Sequence, residues 1–290
     1  MTVIELVERM SARLDEAGVS FGHGTANAFD EAAWLVLWRL CLALDALDEV
    51  ADQNVDAAEV LAVAALIEQR ISTRRPAAYL TGEAWLQGVP FYVDERVIVP
   101  RSLIAEPLAD GTLDAWLARH TRRVLDLCTG NASLAVLAAR AWPEVEVDAC
   151  DISTDALAVA AMNVKRHQLE ARITLRQGDG LASARGRYDL ILCNPPYVNR
   201  DSMAKLPPEY QAEPSLALDG GVDGGSDGMD FIRKLLAGAA ERMNDGAVLV
   251  IEVGHERAHF ESAFPDLDVV WLSTSAGDDQ LLLIEKHKIP

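Results

Sequence analysis

Leu190-Ile191-Leu192-Cys193-Asn194-Pro195-Pro196-Tyr197 joins an apolar run to an asparagine, two prolines and an aromatic ring. Such a run is typical of a parallel-sheet strand that is covered on both faces. The prolines then fix two φ angles and remove two backbone donors. The stretch therefore predicts a stiff turn at the carboxyl end of a buried strand, which is where open α/β sheets bind their ligands.

Strand and helix patterns alternate around that stretch from Arg123 onward. The predicted strands are Val124 to Cys128, Val145 to Cys150, Ile173 to Arg176, Tyr188 to Cys193 and Ala247 to Val253. The predicted helices are Ala132 to Trp142, Asp155 to His167, Met229 to Met243 and His255 to Phe264, with a long loop from Tyr197 to about Gly228. Repeated βα units predict a parallel, doubly wound sheet. The last two strands, Val269 to Leu272 and Gln280 to Glu285, are too close in sequence for a crossover helix and are expected to pair antiparallel at the edge.

Residues 1 to about 80 have helical periodicity. Thr2 and Glu5 form a capping box, and further helices are predicted from Asp30 to Leu47 and from Asp56 to Ser72. Residues 84 to 93 predict two short strands around a glycine turn. Ser102 is expected to cap a following helix, of which Pro107 permits only the first turn.

Composition narrows the classes of function. The chain has 290 residues, its net charge is −19, and no apolar run is long enough to cross a membrane. The charge disfavours binding to nucleic acid and suits a basic protein partner, although solubility alone is the plainer explanation. The four cysteines lack paired spacing, and residues 1–5 do not resemble a signal peptide. We therefore expect reduced thiols and a cytoplasmic protein.

Three further motifs follow predicted strands. Residues 126–132, Asp-Leu-Cys-Thr-Gly-Asn-Ala, form a turn with a single glycine, Asp151 ends the second strand, and Gly178-Asp179-Gly180 follows the third. A carboxylate after the second strand suits two ribose hydroxyls, and one after the third could accept from an adenine amine. Alternatively, Asp151 merely caps the helix near Thr154, and Asp179 is an ordinary turn residue. Because all three motifs end consecutive strands, together they favour a nucleoside cofactor at the switch point of the sheet.

The turn at Asn194 offers two acceptors, the Asn194 side-chain oxygen and the Pro195 carbonyl. A planar NH₂ group could donate one hydrogen to each, which would orient its nitrogen for transfer. Tyr197 would stack on the flat substrate or face a cation. A plain Pro-Pro turn is the alternative, which the position after the fourth strand disfavours.

His255-Glu256-Arg257-Ala258-His259 matches the zinc-peptidase signature H-E-x-x-H literally. A catalytic zinc needs a third ligand, and His287 in the tail is the only other histidine near this motif in the sequence. The motif is therefore interpreted as the polar face of a helix, and no metal is expected.

Together these motifs resemble the class I S-adenosylmethionine-dependent methyltransferases and, within them, the protein-glutamine N(5)-methyltransferases. One subfamily acts on peptide-chain release factors and another on the third protein of the large ribosomal subunit. Residues 91–102, Leu206 to Tyr210 and Glu213-Pro214 resemble the ribosomal-protein subfamily, whereas the release-factor enzymes usually have Pro-Arg-Pro-Glu-Thr near position 100.

The resemblance implies a Rossmann-like α/β fold with a mostly parallel sheet and an antiparallel edge strand. It also implies a helical substrate-recognition domain (1–75), a hairpin linker (76–101) and a methyltransferase domain (102–290). S-adenosylmethionine would be the cofactor and a basic ribosomal protein the partner, with neither nucleic acid nor membrane bound. The implied cofactor-binding residues are Asp126, Cys128, Thr129, Gly130, Asn131, Asp151, Ile152, Asp179, Gly180 and Asn194. The implied catalytic residues are Asn194, Pro195, Pro196 and Tyr197, and the implied substrate-binding residues are Arg101, Asn194, Pro195 and Tyr197.

Two residues depart from the pattern of the family. Ala132 stands where a second glycine is usual, which predicts a tighter backbone approach and lower cofactor affinity, and Pro107 interrupts the helix after Ser102. Three other enzymatic functions remain as alternatives, namely glutamine methylation of a release factor, methylation of an adenine amine in DNA, and a zinc peptidase. A binding module without a cofactor is a fourth.

Overall fold

Helices build the first of the two units into which the chain divides, Met1–Ala84 together with Leu206–Glu213. The computed structural model describes residues 1–117, 121–221 and 225–290. The helices of residues 1–84 are Val3–Glu16 (α1), Ala28–Arg39 (α2), Leu47–Val50 (α3), Ala57–Thr73 (α4) and Ala77–Thr81 (α5). Their apolar faces meet in one core that includes Leu6, Leu35 and Ile67.

The predicted capping box is present at the start of α1. The Glu5 carboxylate accepts from the Thr2 N–H at 2.8 Å, and the Glu5 N–H donates to the Thr2 hydroxyl. The helix predicted from Asp30 to Leu47 is wrong in its second half, because α2 ends at Arg39. Cys41 has a φ of +55°, a left-handed conformation that cannot continue the helix.

The second unit comprises Trp85–Lys205 and Pro214–Pro290. Ahead of its main sheet, Glu83–Leu86 (β1) and Val89–Tyr92 (β2) pair as the predicted hairpin. The positive φ angles of Gln87 and Gly88, +49° and +70°, form its two-residue turn.

A seven-stranded sheet forms the core of this unit. Its strands are Arg123–Leu127 (β3), Glu146–Asp151 (β4), Ile173–Gln177 (β5), Tyr188–Cys193 (β6), Met243–Glu252 (β7), Val270–Thr274 (β8) and Gly277–Glu285 (β9). The order is β5-β4-β3-β6-β7-β9-β8, and the first five strands in it run parallel. β9 pairs antiparallel with both β7 and β8, which confirms the antiparallel edge.

The central strand β6 is covered on both faces, as its apolar run predicted. Leu190 and Leu192 face one buried cluster, which includes Ala135 and Val136 of the helix after β3. Ile191 and Cys193 face a second cluster, which includes Ile232 and Leu236 of the helix before β7. Strict alternation of this kind follows from the period of two along a strand.

The helices of the second unit are mostly close to prediction. They are Ala105–Ala109 (α6), Ser133–Ala141 (α7), Thr154–Arg166 (α8), Arg200–Met203 (α9), Asp230–Ala239 (α11) and Arg257–Ala263 (α12). The long loop predicted after Tyr197 is wrong in part. It contains α9 and, inside the first unit, the short helix Pro208–Gln211 (α10), while its residues 222–224 lie outside the described residues. In the ranges that the structure covers, no helix has the length and apolarity needed to cross a bilayer.

Candidate functional site

A cavity of ≈ 310 Å³ lies at the carboxyl ends of the parallel strands. The strand order reverses direction between β3 and β6, and ligands of doubly wound sheets bind at that point. The predicted site residues that line the cavity are Cys128, Gly130, Asp151, Ile152, Asp179, Gly180, Asn194 and Pro196. Motifs from four strand ends thus meet at one cavity.

The loop after β3 alternates between ordinary and left-handed backbone. Cys128, Gly130 and Ala132 have φ angles of +59°, +55° and +65°. Glycine adopts such angles readily, so the loop contains two strained non-glycine residues, of which Cys128 lines the cavity. Ala132 itself is fully buried in the apolar cluster behind the loop. Its methyl group is therefore part of the packing that supports the loop.

Asp126 is hydrogen-bonded to this loop and to the helix that follows it. Its Oδ2 accepts from the Thr129 hydroxyl at 2.5 Å and from the Ala135 N–H at 3.0 Å. Burial raises the pKa of the Asp126 carboxyl to about 7, although both donors oppose the shift. The other carboxylate oxygen, Oδ1, is buried and finds no hydrogen-bond partner among the residues that the structure describes, and the same holds for Asn131 Nδ2. Buried polar atoms are normally paired, so these two atoms are exceptions, although neither Asp126 nor Asn131 lines the cavity itself.

Asp151 connects the loop to the second motif. Its Oδ2 accepts from the Gly130 N–H at 2.9 Å, and its Oδ1 accepts from the Ser153 N–H at 2.9 Å. Burial raises the pKa of Asp151, and these N–H donors oppose the shift. The interpretation of Asp151 as a helix cap is wrong, because Ser153 caps α8 by accepting from the Ala156 N–H. Each carboxylate oxygen can still accept a further hydrogen bond.

Asp179 stands at the opposite wall of the cavity. It precedes a short 3₁₀ turn, and its side chain makes no capping hydrogen bond there. Phe231 and Lys234 of α11 line the same wall, and a Cβ placed on Gly180 would lie 3.6 Å from the Phe231 ring. Sequence reasoning missed both residues, because α11 follows Gly180 by about fifty positions and its apolar periodicity carries no sign of a ligand.

Two residues of the Asn-Pro-Pro-Tyr turn line the cavity, and the other two lie behind them. Asn194 is partly exposed and lines the cavity with Pro196, whereas Pro195 is buried. Tyr197 donates its hydroxyl to Glu252 Oε1 at 3.1 Å, and burial is the main reason why the pKa of Tyr197 is raised well above its usual value. Glu252 ends β7 and was not predicted as a site residue, since nothing local distinguishes it from a strand-terminal acid.

The Pro-Arg-Ser element supports the same corner. Ser102 donates its hydroxyl to Glu252 Oε2 at 2.6 Å, and the Leu103 N–H donates to that oxygen at 2.9 Å. The expected cap is only partly present, since Ser102 accepts from the Ile104 N–H while α6 begins at Ala105. Arg101 donates to the Val99 carbonyl at 3.0 Å. From this part of the chain, Arg96, Val97 and Ile98 line the cavity.

The H-E-x-x-H motif also contacts the loop after Tyr197. Glu256 Oε1 accepts from Asn199 Nδ2 at 2.6 Å, and Glu256 Oε2 lies 2.5 Å from His259 Nδ1. Within the three described ranges, no group of three or more His, Cys, Asp or Glu residues is arranged to hold a metal ion. Glu256 of the motif thus contacts both Asn199 and His259.

The sequence of this chain is similar to those of known methyltransferases. The family described as methyltransferase small domain matches residues 111–206. The ribosomal protein uL3 glutamine methyltransferase of Bordetella pertussis is 51% identical over 99% of this chain and 96% of its own length. Proteins of the same name from Burkholderia pseudomallei and Bradyrhizobium diazoefficiens are 49% and 46% identical, over 100% and 98% of this chain and 96% and 90% of their own lengths.

Among solved structures, the hMettl16 catalytic domain in complex with the MAT2A 3′UTR hairpin 1 has a TM-score of 0.52. It covers 82% of this chain and 84% of its own chain at 15% identity. At so low an identity the likeness concerns the fold alone, and it supports the Rossmann-like sheet predicted from the alternating βα units.

Proposed function

This chain belongs to the family of ribosomal protein uL3 glutamine methyltransferases, and we propose that it transfers a methyl group to a glutamine side-chain amide of uL3. One observation carries the proposal. Asn194, which would hold the amide, lines the same cavity as Gly130, Asp151 and Asp179, which would hold the methyl donor. The amide that accepts the methyl group and the cofactor that donates it would thus bind in one cavity of ≈ 310 Å³.

The proposed methyl donor is S-adenosylmethionine. It supplies, when bound, a methyl group activated on a sulfonium. Asp151 would accept from the ribose hydroxyls and Asp179 from the adenine amine, with Ile152 and Gly180 against the base. Asn131 Nδ2 and Asp126 Oδ1, which are buried and unpartnered within the described part of the chain, support binding of a polar group at the loop of Cys128, Thr129 and Gly130. The amino-acid end of the cofactor carries a carboxylate, which would accept from Asn131 Nδ2, and an amino group, which would donate to Asp126 Oδ1.

The chain's own contribution to the reaction would be orientation. The Asn194 side-chain oxygen and the Pro195 carbonyl would each accept one hydrogen of the substrate NH₂ group. An amide nitrogen is a weak nucleophile because its lone pair is delocalised, and two fixed acceptors favour the positive charge that develops on nitrogen. Pro195 and Pro196 would keep both acceptors in place by restricting the backbone. Arg101 and Tyr197 would flank this pocket.

The proposed partner follows from the names of the relatives and from charge. Ribosomal proteins are generally basic, and the net charge of this chain is −19, which favours encounter with a basic partner over one with nucleic acid. We assign recognition of uL3 to residues 1–75, the linker to residues 76–101 and methyl transfer to residues 102–290. We propose that the reaction takes place in the cytoplasm. Replacing residues 1–75 by the corresponding segment of a release-factor enzyme should weaken methylation of uL3; unchanged methylation would contradict this assignment.

Methyl-label transfer followed by mass spectrometry tests the proposal. Purified uL3 and a release factor are incubated separately with S-adenosylmethionine and either wild type or Asn194→Ala. Wild type should methylate a glutamine of uL3, and Asn194→Ala should lose nearly all transfer while keeping most of its cofactor affinity. Methylation of the release factor alone would overturn the choice of substrate. Absence of cofactor binding by calorimetry would overturn the enzyme itself.

A further inference from the structure

Glu252 joins two segments that border the proposed pocket. Its Oε1 accepts from the Tyr197 hydroxyl at 3.1 Å, while its Oε2 accepts from the Ser102 hydroxyl at 2.6 Å and from the Leu103 N–H at 2.9 Å. Its relative exposure is only 4%, so these protein donors stand in for water. One buried carboxylate thus ties the Asn-Pro-Pro-Tyr turn to the Pro-Arg-Ser element.

The sheet places Glu252 directly beside the turn. Cys193, the residue before Asn194, is the parallel partner of Ile251, the residue before Glu252. The two strands therefore leave the sheet side by side, and Glu252 stands next to the first residue of the turn. Because both strands are buried on both faces, this register cannot slip without exposing their apolar side chains.

Gly254 holds the ring of the same tyrosine. A Cβ at Gly254 would lie 2.5 Å from Tyr197 Cε2, so the ring packs against bare backbone. Gly254 has a φ of +52°, which a residue with a side chain would adopt only with strain. Two residues further on, Glu256 accepts from Asn199 Nδ2 at 2.6 Å. The segment 252–256 therefore contacts Tyr197 at its hydroxyl and its ring, and Asn199 at its amide.

We propose that Glu252 is a positioning residue that orients the Asn194 and Pro195 acceptors by fixing Tyr197 at the end of their turn. The inference rests on the proposed function. Asn194 follows a strand residue locked in the sheet, and Tyr197, three residues later, is held by Glu252. With both ends fixed and two prolines between them, the acceptors have little freedom left. The H-E-x-x-H motif is explained by the same arrangement, because its Glu256 extends the contact to Asn199.

Glu252→Gln tests this role with little change in volume. The carboxylate accepts from three donors, whereas a glutamine amide has only one acceptor oxygen. Its NH₂ group must face either the Ser102 and Leu103 donors or the Tyr197 hydroxyl, which would then have to turn and accept instead of donating. We expect kcat for methylation of uL3 to fall about 10- to 100-fold, since small displacements of reacting groups have effects of that size. The KM for uL3 and the Kd and stoichiometry of S-adenosylmethionine should stay within about 3-fold, because Glu252 is not part of the cofactor wall. Glu261→Gln, an exposed acid paired with Arg257, is the matched control and should retain wild-type kcat.

Tyr197→Phe provides a second test, because it removes the hydroxyl that donates to Glu252 and keeps the Glu252 carboxylate itself. It should lower kcat less than Glu252→Gln does, and the double variant should be no slower than Glu252→Gln alone, because the hydroxyl acts through Glu252. Should Glu252→Gln fail to fold, wild-type kcat in Tyr197→Phe would overturn the role.

The outcomes separate the inference from the function on which it rests. No transfer by wild type overturns the proposed function, and the inference with it. Transfer by wild type, together with wild-type kcat in folded Glu252→Gln, overturns the positioning role alone. That role is also overturned if the effects of the two single variants multiply in the double variant, or if the loss of kcat is matched by a loss of cofactor stoichiometry, since a merely structural role predicts those results.

Discussion

The Gly130 backbone N–H donates to the Asp151 carboxylate at 2.9 Å, which joins the glycine loop after β3 to the acid at the end of β4. Both residues line the same cavity. The bond crosses between neighbouring strand ends, so the acid orients the loop as well as presenting its own oxygens. Loss of this one carboxylate should therefore affect the cofactor in two ways.

Asp151→Ala should weaken the binding of S-adenosylmethionine by about 100-fold or more, since hydrogen bonds to a charged group contribute about 1.5–3 kcal/mol each. Isothermal calorimetry measures the effect. Asp155→Asn, an exposed acid in the first turn of α8, is the matched control and should bind as wild type does. Equal affinities in the two variants would remove Asp151 from the cofactor site.

Arg70→Met should destabilise the helical unit by about 3–5 kcal/mol, because it leaves buried carboxylates without their cation. Arg70 lies 2.8 Å from Glu31 Oε1 and 3.4 Å from Glu209 Oε1, and its own side chain and that of Glu209 have 0% exposure. Arg13→Met is the control, because the Arg13–Glu68 pair at 2.7 Å is 39% and 55% exposed and should contribute less than about 1 kcal/mol. Urea unfolding compares the two variants, and similar losses would contradict the assignment of stability to the buried cluster.

Asp126 should make stability depend on pH. Its pKa is raised from 3.8 to about 7, so between these values the folded state binds more protons than the unfolded state, and stability falls as pH rises. Relative to Asp126→Asn, which cannot titrate, wild type should lose on the order of 2–3 kcal/mol between pH 5 and pH 8. Urea midpoints of both proteins at the two pH values measure the difference. A constant difference would show that Asp126 stays charged throughout this range.

Ala132→Gly should cost less stability than Ala138→Gly, by about 1 kcal/mol or more. Both alanines are fully buried in the same cluster, but Ala132 has a φ of +65° whereas Ala138 lies inside α7. Glycine relieves the strain of the left-handed angle, about 1–2 kcal/mol, only at position 132. Thermal unfolding compares the variants.

Cofactor affinity should change little in Ala132→Gly, because the Ala132 methyl packs in the core. A large gain in affinity would support the tighter backbone approach predicted from the missing glycine.

The sheet and part of the cavity could be predicted because their signals are local. The apolar run before Asn194 and the βα alternation gave the order of the elements. The motifs at the strand ends, together with the family resemblance, gave eight of the residues that line the cavity. The short helix Pro208–Gln211 was missed, because a single turn has no periodicity to detect. Asp126, Thr129 and Asn131 were expected at the cofactor; the structure buries all three side chains, and their contact with the cofactor stays a prediction.

The sequence by itself determined the family, the parallel sheet and the turns that follow its central strands, because prolines and glycines restrict the backbone wherever they stand and strand periodicity needs only neighbours. Only the tertiary structure decided which distant side chains are partners. Tyr197 and Glu252 are 55 positions apart, and Arg70 and Glu209 are 139 apart. Nothing in either local sequence selects the other, since a buried carboxylate finds its donors through the register of the sheet or the packing of helices. The orientation of the Asn-Pro-Pro-Tyr turn therefore depends on an acid that no motif contains.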